Sequence, residues 1–374
     1  MDIDNILTRG VSEILPSKDG LKELLQNKKI TIYQGFDPTG DSLHIGHFIG
    51  LRKLGKLQKL GHKIIFLIGD FTAMIGDPTD KSATRKTLTR EEVENNFKNY
   101  REQAAKVLDF EGENKAEVLY NSEWLGKINF EELINLSANF TVQQMIERNM
   151  FKVRLSENKP IYLHEFLYPL MQGYDSVAMD VDLEIGGNDQ LFNMLAGRTL
   201  LKSLKNKEKF VMTMKLLEDG SGWKMGKTEG NAVNLSDSAE NIYGKIMSFP
   251  DSMLQIGYEL LTDIENIDAK PMQAKKNLAF DIVRQIKGEE EAKSAQQSFE
   301  NTFQNNNPEY KQIDKQETFV QTLAYATNAS TSHVKNLINQ NAISLNGEKV
   351  NNFNQDLKSG DKLRIGTTTF IEIK

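Results

Sequence analysis

The 374-residue chain is predicted to be an α/β protein, a parallel-sheet domain followed by an α-helical domain and a small α+β domain. Three observations predict it. A β-branched run ends in glycine and opens a helix-spaced segment; a continuous apolar run follows it; and the last 58 or so residues change to short alternating stretches with a hairpin signal.

Taken in order, Ile30-Thr31-Ile32-Tyr33 reads as a strand ending at Gly35. Residues 44–60 then place Ile45, Phe48, Ile49, Leu51, Leu54, Leu57 and Leu60 at helical spacing, with Gly61 as the stop. Ile64 to Ile68 is uninterrupted apolar sequence, as in a strand buried on both faces. This β–α–β unit implies parallel strands joined by a right-handed crossover. Residues 90–108 predict one charged amphipathic helix, and Ala116–Leu119 the next strand. Residues 129–175 predict helix broken at Pro160 and Pro169. Leu183-Glu184-Ile185 is a short strand before Gly186-Gly187, a helix runs to Leu204, and Phe210–Leu217 is a further strand.

Residues 237–298 read as helical without strand signal, and 301–316, polar with Asn305-Asn306-Asn307-Pro308, as a linker. After it come a helix over Ser332–Gln340 and Ala342-Ile343-Ser344-Leu345, turning at Asn346-Gly347, a strong hairpin dipeptide. Short strands follow to Ile373.

Composition bounds the chemistry. No apolar run approaches the roughly 20 residues of a membrane span, and the acidic N-terminus lacks an export pattern. The chain therefore reads as cytoplasmic. The absence of cysteine excludes disulfides and thiolate metal sites, and five histidines make a structural zinc site a poor reading. A net charge of −6 argues against a broadly basic nucleic-acid coat and against DNA, while leaving room for local RNA contact.

The most informative stretch is Gly35-Phe36-Asp37-Pro38-Thr39-Gly40 leading to His44-Ile45-Gly46-His47. It sits where a strand passes into a helix, and Gly35, Gly40 and Gly46 allow close backbone approach there. His44 and His47, three residues apart, share one side of the first helical turn, where unpaired N–H groups attract anions. Two imidazoles at that position can donate to phosphate oxygens as charge develops. The second stretch, Lys224-Met225-Gly226-Lys227-Thr228, follows a loop with Gly220 and Gly222. Two lysines and a hydroxyl on such a loop suit closure over a pyrophosphate leaving group. The pairing points to an enzyme that adenylates a carboxylate with ATP.

Tyr33 to His47 resembles the first signature of class I aminoacyl-tRNA synthetases, of the bacterial tyrosyl type. The resemblance continues through Gly76-Asp77-Pro78, Tyr168 to Asp175 and Ile185 to Gln190, and Lys224–Thr228 is similar to the family's second signature. It spans essentially the whole chain. It implies a Rossmann-like catalytic domain over 1–232 with a helical dimer-contact insertion at about 120–165. An anticodon-side helical domain over 233–300 and a small RNA-binding domain over 317–374 would follow. The implied reaction joins ATP and tyrosine to tyrosyl-adenylate, then transfers tyrosyl to the terminal ribose of tRNA(Tyr), in a homodimer.

By that resemblance Thr39, His44 and His47 contact nucleotide or phosphates, Gly46 gives adenine room, and Asp189 holds the ribose. Gln190 and Asp37 line the reacting carboxylate and adenylate, and Gly35 and Gly187 complete the ATP site with Lys81 and Arg85. Catalysis falls to Thr39, His44, His47, Lys224, Lys227 and Thr228. Asp77, Tyr168 and Gln172 bind the α-amino group, and Tyr33 and Asp175 the phenol. Mg²⁺ is expected through the ATP phosphates, with no all-protein metal cage. Tyr174 reads as a core aromatic. Asp80 departs from the family's small residue there and opposes the hold of Lys81 on phosphate. The C-terminal stretch, with seven Lys or Arg against five Asp or Glu from 315 to 374, is only mildly basic. A tryptophan-activating relative, a small adenylyltransferase and an inactive RNA-binding paralogue are the competing readings.

Overall fold

The computed structural model describes residues 2–77, 88–218, 232–303, 308, 310–327, 329–366 and 369–374. They form two compact units, Met1–Ser236 with Pro250–Ala274, and Asp237–Phe249 with Lys275–Lys374.

The first unit is built on six strands: β1 Val11–Leu15, β2 Thr31–Phe36, β3 Lys63–Ile68, β4 Glu117–Tyr120, β5 Leu183–Gly187 and β6 Phe210–Met214. Their order is β1-β6-β5-β2-β3-β4. The strands β2 to β6 are parallel, and β1 runs antiparallel on β6. Every residue from Ile64 to Ile68 is buried, as a centrally placed parallel strand demands. The edge strand β1 has no counterpart in the sequence reading; its Ser12 and Glu13 are exposed, so no clean alternation announces it. The chain winds from β2 outward through β3 and β4, then returns to β5 on the other side of β2. The switch point therefore lies at the carboxyl ends of β2 and β5, where ligands of such sheets bind.

Two helical expectations need correction. The span 90–108 is two helices, Arg90–Phe97 and Tyr100–Ala104. The second is turned so that the Tyr100 hydroxyl donates to the Gly40 carbonyl (2.7 Å) and the Gln103 side chain accepts from the Leu43 N–H (2.8 Å). These ties hold the glycine-rich loop after β2. Pro169 does not break its helix: Leu163–Met179 continues through it. A proline costs a helix interior about 3 kcal/mol. Burial of Tyr168, Leu170, Met171, Ser176 and Val177 on the same helix outweighs that cost.

The stretch expected as one helical domain is divided, since Pro250–Ala274 belongs with the first unit. Two buried or half-buried arginines explain why. Arg52 donates to the carbonyls of Leu260 and Thr262, and Arg9 to those of Tyr258 and Ile264 (both 2.8 Å). They bind carbonyls in the last turn of helix Leu254–Leu261 and just beyond it.

The second unit holds helices Ala239–Met247 and Glu289–Phe303, most of Pro271–Lys287, and a five-stranded sheet. Its strands are β7 Lys311–Ile313, β8 Ile343–Leu345, β9 Glu348–Lys349, β10 Lys362–Ile365 and β11 Thr369–Ile373, ordered β7-β11-β10-β8-β9. Thus 311–313, read as linker, is a strand paired in parallel with β11. Ile313, Leu323, Val334, Ile338, Leu363 and Ile371 meet in one core beneath helices Phe319–Thr327 and Thr331–Asn339. The β8–β9 turn has Asn346 at φ 49° and Gly347 at φ 91°, the paired positive values a two-residue hairpin requires. No described helix is long and apolar enough to cross a membrane.

Candidate active site

A cavity of about 430 Å³ opens at the switch point, and every described residue expected to bind substrate or catalyse lines it. Gly35, Asp37, Thr39, His44, Gly46, His47, Gly187, Asp189 and Gln190 are among its lining residues. Tyr33, Asp77, Tyr168, Gln172 and Asp175 line it too. Lys81, Arg85, Lys224, Lys227 and Thr228 lie outside the described residues.

One part of the lining is the start of helix Ile45–Lys59. His44 is its N-cap: its Nδ1 accepts from the Gly46 N–H (3.1 Å), and His47 Nδ1 accepts from the His44 N–H (3.2 Å). Because each ring spends Nδ1 as an acceptor, its neutral form carries the proton on Nε2, a donor. The rings stack at 3.8 Å. A side chain at Gly46 would lie 2.9 Å from the His44 ring, so only glycine leaves this cap intact. Beyond residues 219–231, Val233 accepts from the Ile45 N–H (2.9 Å) and the Leu235 N–H donates to Leu43 (2.8 Å). On the near side Leu216, Leu217 and Glu218 line the cavity. Both described flanks of the second signature thus meet the cavity or the first signature.

Further in, carboxylates dominate. Asp37 accepts from the Tyr168 hydroxyl (2.8 Å) and the Thr72 hydroxyl (2.7 Å). Asp77 accepts from Gln190 Nε2 (2.7 Å), with the Arg148 guanidinium 3.9 Å away. Burial, reinforced by Asp37 and Asp77, pushes the Tyr168 phenol well above its usual range, so it remains a donor. At the closed end Asp175 is 2% exposed and sits inside the Leu163–Met179 helix, which rules out a capping role. It accepts from Trp124 Nε1 (2.7 Å) and Asn121 Nδ2 (3.3 Å). Burial raises its carboxyl well above the ordinary carboxylate range; those two bonds oppose the shift, and Asp37 and Glu184 add to it. The Tyr33 hydroxyl lies 2.8 Å from Ser176 Oγ. Tyr174 packs half-buried against two apolar clusters, as a core aromatic does.

Sequence reasoning missed the supports: Thr72, Asn121, Trp124, Arg148, Ser176, Glu184 and Lys209. Thr72, Asn121, Trp124, Arg148 and Lys209 reach the groups they bind from elements other than those that carry them, while Ser176 directly follows Asp175 on its helix. Only Glu184 carried a signal, as a carboxylate inside an otherwise apolar strand.

The family signature for tRNA synthetases class I (W and Y) matches residues 25–304. A tyrosine–tRNA ligase of Geobacter metallireducens is 44% identical over 93% of this chain and 92% of its own length. One from Haemophilus influenzae is 38% identical over 100% and 98%. Among solved structures, a C-terminally truncated mitochondrial tyrosyl-tRNA synthetase of Coccidioides posadasii is 26% identical. It covers 79% of this chain and 90% of its own, with a TM-score of 0.64. The corresponding Aspergillus nidulans structure, 22% identical over 80% and 94%, shares the fold with a TM-score of 0.70.

Proposed function

The chain belongs to the class I tRNA synthetases of the tryptophan and tyrosine group, and within that family we propose that it is a tyrosine–tRNA ligase. It uses ATP to convert tyrosine to tyrosyl-adenylate and pyrophosphate, then transfers tyrosyl to the 3′-terminal ribose of tRNA(Tyr). The carrying observation is the shape of the polarity in one cavity: a phosphate-ready helix start outside, a carboxylate-rich middle, and a closed end with a buried acid and phenol.

Tyrosine enters with its side chain toward Tyr33 and Asp175. Its ammonium meets Asp77, Tyr168 and Gln172, which supply a charge and neutral acceptors. A phenyl ring in the same place would leave Asp175 and Tyr33 without their hydroxyl partner, which is costly in a buried site. The substrate carboxylate attacks the α-phosphate, so no protein nucleophile is required. His44 and His47 donate to phosphate oxygens through Nε2 as charge develops, with Thr39 beside them. Gly35, Gly46 and Gly187 admit the nucleotide, Asp189 holds its ribose, and Asp37 and Gln190 flank the reacting centre. Lys81, Arg85, Lys224, Lys227 and Thr228 complete the hold on the leaving pyrophosphate. Mg²⁺ arrives with ATP as part of the substrate; among the described residues no three His, Asp or Glu side chains converge to hold an ion.

We extend the reading to a cytoplasmic homodimer. Its support is apolar exposure concentrated in 130–163: Phe130 is 78% exposed, Val142 65% and Leu163 83%. Surfaces of this kind mark association faces. The C-terminal unit's small sheet would take tRNA through local contacts, given its mild charge.

ATP–pyrophosphate exchange, run with each of the twenty amino acids, tests the activity. Tyrosine alone should support it, followed by transfer to tRNA(Tyr). Exchange driven by tryptophan, or by none, would refute the proposal.

A further inference from the structure

Against the cavity, with Glu184 in its lining and Lys209 behind it, lies a buried ion pair that the mechanism above does not use. Lys209 immediately precedes β6 and Glu184 lies in the neighbouring β5; their side chains are 0% and 3% exposed and directly bonded. A buried salt bridge is weak evidence for stability, because desolvation offsets its attraction and apolar replacements are often neutral or better. Its placement is more telling.

Each member reaches one end of the amino-acid pocket. Lys209 Nζ donates to Ser176 Oγ (2.9 Å), and Ser176 Oγ contacts the Tyr33 hydroxyl (2.8 Å). The ammonium occupies one acceptor position of Ser176, so Tyr33 is left the remaining lone pair and proton. Lys209 also lies 5.9 Å from the centre of the Tyr33 ring. At the other end Glu184 Oε1 accepts from Gln172 Nε2 (3.1 Å). Fixing the amide nitrogen on Glu184 leaves Gln172 Oε1 as the acceptor offered to an ammonium. Helix Leu191–Lys205 accommodates the arrangement with a glycine. A Cβ at Gly197 would stand 2.6 Å from Lys209 Nζ and 2.7 Å from Ser176 Oγ.

We propose that Lys209 and Glu184 are positioning residues that set, from one buried pair, both the phenol-reading and the ammonium-reading ends of the pocket, and so determine amino-acid specificity. The proposal rests on the tyrosine reading above. Without Lys209, the Glu184 charge would stand uncompensated beside Gln172 and add to the carboxylate field already felt by Asp175.

The test is the double variant Lys209→Met/Glu184→Leu, which removes both charges and so avoids leaving either unpaired. It should fold with a melting temperature equal to or above wild type. In ATP–pyrophosphate exchange the KM for tyrosine should rise about 10-fold or more, and the tyrosine-to-phenylalanine ratio of kcat/KM should fall at least ~10-fold. The KM for ATP should stay within about twofold. Gly197→Ala should shift the same two tyrosine parameters in the same direction, more weakly. A folded double variant with unchanged tyrosine KM and ratio overturns the proposal, as does an equal rise in the KM for ATP. A double variant that fails to fold makes the pair structural and overturns it too. If wild type shows no tyrosine-dependent exchange, the reading beneath falls and takes the proposal with it; active wild type beside an unaffected variant sinks the proposal alone.

Discussion

The two ends of the cavity are assembled in opposite ways. At the helix start His44, Gly46 and His47 lie within four consecutive residues, and the cap they form uses one another's backbone and rings. At the closed end, Tyr33, Asp175, Trp124, Glu184 and Lys209 come from five separate stretches and meet only once the sheet and helices have packed. The histidine cap itself is local, although Gly187, Asp189 and Gln190 join it in the cavity from the end of β5 and just past it. The closed end is non-local and buried, so each polar group there needs a specific partner. On the proposed reading the first carries the nucleotide chemistry and the second the choice of substrate.

That contrast can be broken by mutation. His47→Ala removes a donor needed only as phosphate charge develops, and should lower kcat for exchange by roughly 100- to 1000-fold with little change in tyrosine KM. A tyrosine-specific KM effect instead would blur the division. Asp175→Asn at the other end should cost about 100-fold in the tyrosine-to-phenylalanine ratio, with phenylalanine exchange nearly unchanged. Equal losses with both amino acids would contradict the assignment.

A pH experiment sharpens the same point. Asp175 has its carboxyl raised above the ordinary 3.8 by burial, so the native state holds that proton more tightly than the unfolded chain. Stability contributed there is present below 3.8 and is lost as pH rises toward the folded value. Over that span Asp175→Asn should gain stability on wild type as pH rises, read in denaturant melts. A difference independent of pH would show that Asp175 does not titrate this way. A second pH effect belongs to Lys53, remote from the cavity, whose ammonium is lowered to about 7 by burial and by Lys56 and Arg52. As a neutral amine it still donates to the carbonyls of Ile6 (2.6 Å) and Arg9 (2.9 Å). The unfolded chain keeps this proton between about 7 and 10.5, so stability should rise with pH above 7. Lys53→Met should flatten that rise by roughly 1 kcal/mol or less per pH unit.

The same contrast explains what could be read from the residues alone. The β2–helix–β3 unit and the Asn346-Gly347 turn were legible because each depends on neighbours in sequence, whereas His44, read as part of the first helical turn, is instead the helix's N-cap. The edge strand β1, the unbroken helix through Pro169 and the transfer of 250–274 to the first unit depend on distant partners. Arg9 and Arg52 cap a helix some 200 or more residues away, and no local pattern carries that information. Asp175 could be picked out by resemblance, but Trp124 and Asn121, which hold it, could not.

The most direct measurement is the ratio of kcat/KM for tyrosine and phenylalanine in ATP–pyrophosphate exchange by the wild-type protein. The account predicts a clear preference for tyrosine, about 100-fold or more, since a buried acid and phenol lose their partner when the hydroxyl is absent. Comparable exchange with phenylalanine, or none with tyrosine, would contradict it.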